Sequence, residues 1–278
     1  MENSVNQNTA VHAPTDSGVP QHARDFSVKD RVIIITGGGQ GIGREYARQF
    51  AAAGAVAVIA DISIATANSV LKEIESAGGR AMAVKVDVGD KKSVDDMAAA
   101  VLEKYGRIDV LINNAAIFAT LKKCTFDEIP LSDWELVMRV NMTGSFLCAC
   151  AVAPAMRQAK WGRIINISSA AVPKGAVNYL HYVTSKSAVI GMTNSLAREL
   201  GSHGITVNCI RPGAVATEVD RTVNPKLERR VQLLSEQCLP KGQVPTDMVG
   251  IVMFLSTPAA AFITGQTIAC DGGFTHSS

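Results

Sequence analysis

The sequence predicts an α/β protein, doubly wound about a seven-stranded parallel sheet with helices on both faces. Three observations predict it. From Arg31 onward, short β-branched or apolar runs alternate with amphipathic stretches of helical length; glycine-containing turns join the two; and no linker or repeat of solenoid period divides the chain. The 278 residues, 47% apolar and 19% charged, suffice for one large core.

Taken in order, the first strand is Val32–Thr36, a β-branched run that passes directly into the glycine-rich stretch Gly37 to Gly43, with a helix over 42–53. The second strand, Ala55–Ala60, meets Asp61, and an amphipathic pattern predicts a helix over 63–76. Ala81–Val86 and a helix over 92–105 form the third unit, and Ile108–Asn113 is the fourth strand. The helix expected next, over 132–158, would be opened by the capping box Ser132-x-x-Glu135 and bent or ended by Pro154. Arg163–Ile167 and a helix over 180–202 follow, then Ile205–Ile210, a helix over 246–256 and a last strand, Gln266–Ala269. Between Pro212 and Pro240 there is no strand pattern, so a segment over about 213–240 is expected to act as a substrate lid beside the strand ends. Residues 1–27, rich in Asn, Gln, Thr, Ser, Pro and His, read as a flexible polar tail, leaving 28–278 as a single domain.

Composition narrows the function classes. Twenty-seven Lys and Arg against 25 Asp and Glu leave a net charge of +2, and the basic residues cluster no further than doublets such as Lys122-Lys123 and Arg229-Arg230, which argues against nucleic acid as a partner. The uncharged run from Met248 to Cys270 has the length of a membrane span, but Pro258, Gly265, Gln266 and its Ser and Thr residues make it a helix, a turn and a strand, so no membrane is expected. The six cysteines form no C-x-x-C pair and lie in apolar segments, as buried free thiols of a reducing compartment do, and the cytoplasm is the expected location. The five histidines have no metal-ligand spacing, and no metal is expected.

The chemistry begins at Thr36-Gly37-Gly38-Gly39-Gln40-Gly41-Ile42-Gly43. A strand, a glycine-rich turn and a helix N-terminus bring a close backbone and free N–H groups to a pyrophosphate, which suits a dinucleotide. Asp61, 18 residues beyond Gly43, is placed to accept hydrogen bonds from adenosine ribose hydroxyls and to repel a 2′-phosphate. No Arg or Lys stands among residues 38–43 or at 62 and 63 to attract one, so NAD(H) is favoured over NADP(H); Arg44 reads as an exposed first-turn helix residue.

Tyr182 and Lys186 are four apart on an expected helix and share a face. A phenol with a pKa of about 10 is a poor base near neutrality, but an ammonium about 5 Å away favours its phenolate by about 3 kcal/mol at an effective dielectric of about 20. Such a phenol can take the proton of an alcohol as hydride leaves the same carbon. Tyr179 has Val183 at i+4 and no such partner; it reads as pocket lining, and His181 as surface or interface.

With these residues the chain resembles the short-chain dehydrogenase/reductase family over roughly Ser27 to Phe274. The resemblance is carried by Thr36 to Gly43, Asp87-Val88, Asn113-Asn114-Ala115-Ala116, Asn141, Ser169, Tyr182, Lys186 and Pro212-Gly213 with Thr217. It implies a Rossmann-type fold, Tyr182 as general acid/base, Lys186 tuning it and holding the nicotinamide ribose, Ser169 bonding the substrate oxygen, and Asn141 holding a water of the proton relay. Cofactor contacts are implied for Gly37, Gln40, Gly41, Ile42, Gly43, Asp61, Asp87, Val88, Asn114, Ala115, Pro212, Gly213, Val215 and Thr217. Ala116 departs from the family's usual glycine. Two alternatives stay open: Asn141 bonding only a neighbouring backbone group, and Ser168 as the active hydroxyl. The family's common homotetramer is the expected assembly.

The expected substrate pocket, with Phe118, Ala171, Val172 and Tyr179, is mainly apolar and suits an aliphatic, alicyclic or aryl secondary alcohol or its ketone; Lys174 is the exception. Segments near Asn178 to Tyr182 and at Phe262 to Thr267 are similar to bacterial NAD-dependent secondary-alcohol dehydrogenases, such as those acting on 1-phenylethanol. The alternatives are an NADPH-dependent ketoreductase of the 3-oxoacyl carrier-protein type and a catalytically idle dinucleotide-binding sensor or scaffold.

Overall fold

The computed structural model describes residues 25–219 and 234–276. Nearly all of the expected tail, residues 1–24, and the centre of the expected lid, 220–233, lie outside the described residues. Strands β1 (Val32–Thr36), β2 (Val56–Asp61), β3 (Arg80–Lys85), β4 (Val110–Asn113), β5 (Gly162–Ile167), β6 (Ile205–Pro212) and β7 (Thr267–Cys270) form one sheet in the order β3-β2-β1-β4-β5-β6-β7. Every pairing is parallel. The helices are α1 (Gly41–Ala52), α2 (Ile64–Ser76), α3 (Lys91–Tyr105), α4 (Leu131–Met138), α5 (Gly144–Ala159), α6 (Ala171–Lys174), α7 (Leu180–Leu200) and α8 (Thr246–Leu255).

Successive side chains of a strand point to opposite faces, and β1 divides accordingly. Ile33 and Ile35 pack with Phe50 of α1, Val70 and Ile74 of α2 and Val252 of α8. Val32 and Ile34 pack with Met97 of α3, Val152 and Met156 of α5 and Leu200 of α7. Both faces are therefore covered, which is why the strands are apolar throughout rather than alternating. The order reverses between β1 and β4, and the crevice that opens at the carboxyl ends of strands beside such a reversal is where doubly wound sheets bind ligands. Register aligns those ends: Thr36 lies opposite Ala60, Asn113 opposite Asn166 and Ile167 opposite Ile210.

The fourth expected helix differs in detail. It begins at Leu131 with Pro130 as its cap residue, so Ser132 lies inside the first turn and caps nothing. The nearby cap is instead Glu128, whose carboxylate accepts a hydrogen bond from the Thr125 backbone N–H (3.4 Å). Pro154 does not end α5, which runs on to Ala159; the irregular turn lies upstream, a wide π-turn at Arg139–Thr143 that carries Asn141. At the other end of the chain, residues 25–27 do not belong to a tail. Asp25 accepts a hydrogen bond from Ala259 N–H (3.0 Å), and Phe26 stacks on Phe254 with centroids 6.2 Å apart.

Candidate active site

A cavity of about 720 Å³ opens over the carboxyl ends of β1, β2, β4, β5 and β6. One end is built by the glycine-rich turn. Gly37 takes a positive φ of 64°, and a side chain there would strike the backbone of Ala115. Gly43 allows α1 to close on the Gly37 carbonyl, so it shapes the turn from behind and does not reach the cavity. Thr36 ties the turn to the fourth strand: its hydroxyl accepts hydrogen bonds from the N–H groups of Asn114 (3.0 Å) and Ala115 (3.1 Å). Asn114 returns two bonds from Nδ2, to the carbonyls of Thr36 (3.0 Å) and Gly37 (3.2 Å). Gly37, Gln40, Gly41, Ile42, Asn114 and Ala115 all line the cavity.

Asp61 ends β2 as expected and is 8% exposed. Its carboxylate accepts from Gly39 N–H (2.9 Å) and Ser63 N–H (3.0 Å), which fixes its aim toward the cavity it lines. Asp87 and Val88 line the same end, joined by two residues not expected from the sequence. Ile62 is largely exposed beside Asp61, and Arg139 pairs with Asp87 at 3.3 Å. Arg44 is half-exposed and held by Glu73 (2.9 Å) and Glu218 (3.6 Å), in keeping with a surface helix position.

The other end brings together Ser169, Tyr182 and Lys186. Tyr182 and Lys186 lie one turn apart on α7, both buried, and both on the cavity wall. Lys186 donates to the Ile167 carbonyl through Nζ (2.8 Å), and burial pulls its pKa down to about 8. The Phe118 ring packs against Tyr182 with centroids 4.6 Å apart. The two serines separate by partner. Ser168 is buried and donates to the Lys186 carbonyl (2.8 Å), whereas Ser169 accepts from Ala171 N–H (3.1 Å), a bond that leaves its own proton available to the cavity.

Asn141 is fully buried in the π-turn and stands behind the wall. Its Oδ1 accepts from Ile117 N–H (2.7 Å), and Nδ2 donates to the Ile117 carbonyl (3.2 Å) and to Ser185 Oγ (3.1 Å). Ser185 in turn donates to the Tyr182 carbonyl (2.8 Å). Asn141 thus bonds the backbone of the cavity loop and, through Ser185, the turn of α7 that carries Tyr182.

Pro212, Gly213, Val215 and Thr217 line the cavity beside Phe118 and Ala171, whereas Val172 and Tyr179 do not. Tyr179 packs behind Phe118, centroids 5.7 Å apart, and supports the lining ring instead of forming the wall. His181 is not a surface residue. It is 2% exposed, and burial lowers its pKa against the opposing pull of Asp133 on α4, the helix that packs over α7. Lys174 reaches the cavity paired with Glu236 (3.4 Å) and lies over the Phe274 ring at 4.1 Å. Glu218 is the other unexpected group, with Oε1 accepting from Gly41 N–H (3.0 Å). No sequence pattern separates these two acids from other lid residues. All six cysteines are free thiols, and no cluster of possible metal ligands occurs among the described residues.

Residues 31–228 match the family model for short chain dehydrogenase. The chain is 40% identical over 245 residues to a 3-oxoacyl-(acyl-carrier-protein) reductase of Synechocystis, covering 87% of this chain and 96% of that one. It is 37% identical over 250 residues to (2S)-((R)-hydroxy(phenyl)methyl)succinyl-CoA dehydrogenase subunit BbsD of Thauera aromatica, covering 89% and 98%. Among solved structures, a Beutenbergia cavernae protein described as an NAD(P) dependent gluconate 5-dehydrogenase, with NADP bound at low occupancy, superposes with a TM-score of 0.83 at 33% identity, covering 90% of this chain and 98% of that one.

Proposed function

The chain belongs to the short chain dehydrogenases, oxidoreductases that use a nicotinamide dinucleotide, and from that premise we propose that it transfers hydride between NAD(H) and an apolar secondary alcohol or its ketone. The observation that carries the reading is the pairing of Tyr182 with Lys186, one turn apart on α7 and both on the cavity wall with Ser169. Intact and convergent, the three argue against an idle binding module.

The cavity suits a dinucleotide. Gly37 leaves room at the turn, Gln40, Gly41 and Ile42 present the start of α1, and Asp61 offers a fixed carboxylate to ribose hydroxyls. Asp87 and Val88 would hold the adenine end, Lys186 the second ribose, and Pro212, Gly213, Val215 and Thr217 the carboxamide end. When bound, the nicotinamide accepts or supplies the hydride. In alcohol oxidation Ser169 donates to the substrate oxygen, and Tyr182 takes the hydroxyl proton, its phenolate favoured by the Lys186 ammonium. Asn141 positions α7 through Ser185 and keeps the cavity loop in place.

Asp61 supports NAD(H), because a carboxylate there repels a 2′-phosphate. Ile117, Phe118, Ala171 and Val215 support an apolar substrate, and the Thauera relative's name contains an aryl secondary alcohol. A second reading, an NADPH-dependent ketoreductase of acyl-carrier substrates, is favoured by the 40% identity to the Synechocystis reductase. A panel of alcohols and ketones followed by NADH and NADPH absorbance separates the two. The first reading expects turnover of simple secondary alcohols with NAD⁺; turnover confined to NADPH and 3-oxoacyl thioesters would replace it.

A homotetramer is part of the proposal, supported by exposed apolar side chains: Leu131 and Phe146 on α4 and α5, and Phe262, fully exposed ahead of β7. Light scattering after size-exclusion chromatography tests it.

A further inference from the structure

The N-terminus of α1 has an unusual partner. Its cap residue Gln40 makes no side-chain cap bond, and the first turn contains no acid. The anion it meets comes instead from 177 residues along the chain, where Glu218 accepts from Gly41 N–H (3.0 Å). Thr217 and Val219 crowd Gly41 from either side of this contact. Arg44, on the next residues of the same helix turn, adds a cation 3.6 Å from the same carboxylate oxygen.

We propose that Glu218 is a displaceable anion built into the cofactor site, whose carboxylate competes with the cofactor's pyrophosphate for the N-terminus of α1. The inference depends on the assignment of a nicotinamide dinucleotide to the cavity. Gly41 offers one N–H, and a carboxylate already on it opposes a second anion both by occupying the donor and by charge. Displacement is undemanding. The Glu218 side chain is 52% exposed, so it can swing into water, and Arg44 keeps its shorter bond to Glu73 (2.9 Å) when Glu218 leaves. Because Thr217 and Val219 lie against the same glycine, release of Glu218 also loosens residues 217–219 from it. Burial raises the Glu218 pKa, but the Gly41 N–H and the Arg44 guanidinium outweigh it and keep the group below the usual carboxylate range, so it is charged near neutrality.

The test is calorimetric titration of wild type, Glu218→Gln and Glu218→Ala with NAD⁺, and with inorganic pyrophosphate as a second probe, at low and moderate salt. Both variants are expected to bind NAD⁺ about threefold to tenfold more tightly than wild type, as loss of one charge at a helix terminus allows. The gap should narrow with added salt, and pyrophosphate should follow the same order. Without cofactor, the variants should melt slightly lower than wild type, since a stabilising contact is gone. A purely structural Glu218 would lower the melting temperature and leave NAD⁺ affinity unchanged, and unchanged or weaker affinity overturns the proposal. If Glu218→Ala does not fold, Glu218→Gln, which keeps the size and an acceptor oxygen, decides alone. Wild type that binds neither NAD⁺ nor NADP⁺ would remove the cofactor assignment and the proposal together, whereas NAD⁺ binding equal in all three proteins removes only the proposal.

Discussion

Burying the Lys186 ammonium sets stability against chemistry at one residue. Its pKa falls from an unfolded value near 10.5 to about 8 because burial disfavours the charge. Below pH 8 both states hold the proton and the penalty is present in full, about 3 kcal/mol for a shift of that size. Between pH 8 and 10.5 the unfolded chain binds more protons than the folded one, so this residue's contribution makes stability rise with pH; above that range the penalty is gone. Lys186→Met should therefore raise stability near neutrality by about 2 kcal/mol, after allowing for the donor that the Ile167 carbonyl loses. Its advantage should shrink as pH climbs from 8 to 10.5. Urea denaturation at pH 7 and pH 10 measures both, and the same variant should lose nearly all turnover. Ser169→Ala should also lose activity, about a hundredfold, whereas Ser168→Ala should chiefly cost stability, because its hydroxyl is committed to the Lys186 carbonyl. Paired turnover and melting measurements distinguish the two serines.

Helix α1 carries the glycine-rich turn at its start and a defect in its body. Tyr46 is fully buried, its hydroxyl has no hydrogen-bond partner among the described residues, and burial pushes its pKa far above the ordinary phenol value. Removing that oxygen relieves an uncompensated buried polar group, so Tyr46→Phe should stabilise the protein by about 1 kcal/mol, read as a higher urea midpoint with unchanged slope. The elements differed in how much of them the sequence made readable. All seven strands are where their apolar runs predict, within two residues at each end, because a strand covered on both faces has no other composition open to it. Helix details were harder. A π-turn keeps nearly the same residue spacing as the helix around it, so Arg139–Thr143 leaves no trace in the pattern, and Pro130 caps α4 two residues ahead of the Ser132 signal. His181 departs from its expected surface position for a related reason. Its position on α7 reads as outward until α4 packs over it, and that packing depends on a contact distant in sequence.

In the whole molecule, the reversal of strand order between β1 and β4 gathers groups from the strand ends and from α1, α4, α6 and α7 into one cavity. That the glycine turn, Asp61, Ser169, Tyr182 and Lys186 share one cavity is legible in the sequence, because the chemistry proposed for them fixes both residue type and spacing. Glu218, Glu236 and Arg139 were not, since an acid or base on a loop or helix face has many uses and only the folded chain shows which it meets. The proposed preference for NAD(H) also belongs to this scale, because Asp61 is held by the glycine turn through Gly39 N–H. Asp61→Ser should narrow the preference for NAD⁺ over NADP⁺ by at least about tenfold, measured as the ratio of kcat/KM values. The most direct measurement is the rate of NADH formation from NAD⁺ and 1-phenylethanol by wild type and by Tyr182→Phe, with NAD⁺ affinity determined for both. The expected result is turnover by wild type, a loss of about a hundredfold or more in the variant, and equal NAD⁺ affinity. Undiminished NADH formation by Tyr182→Phe would contradict proton transfer through that phenol.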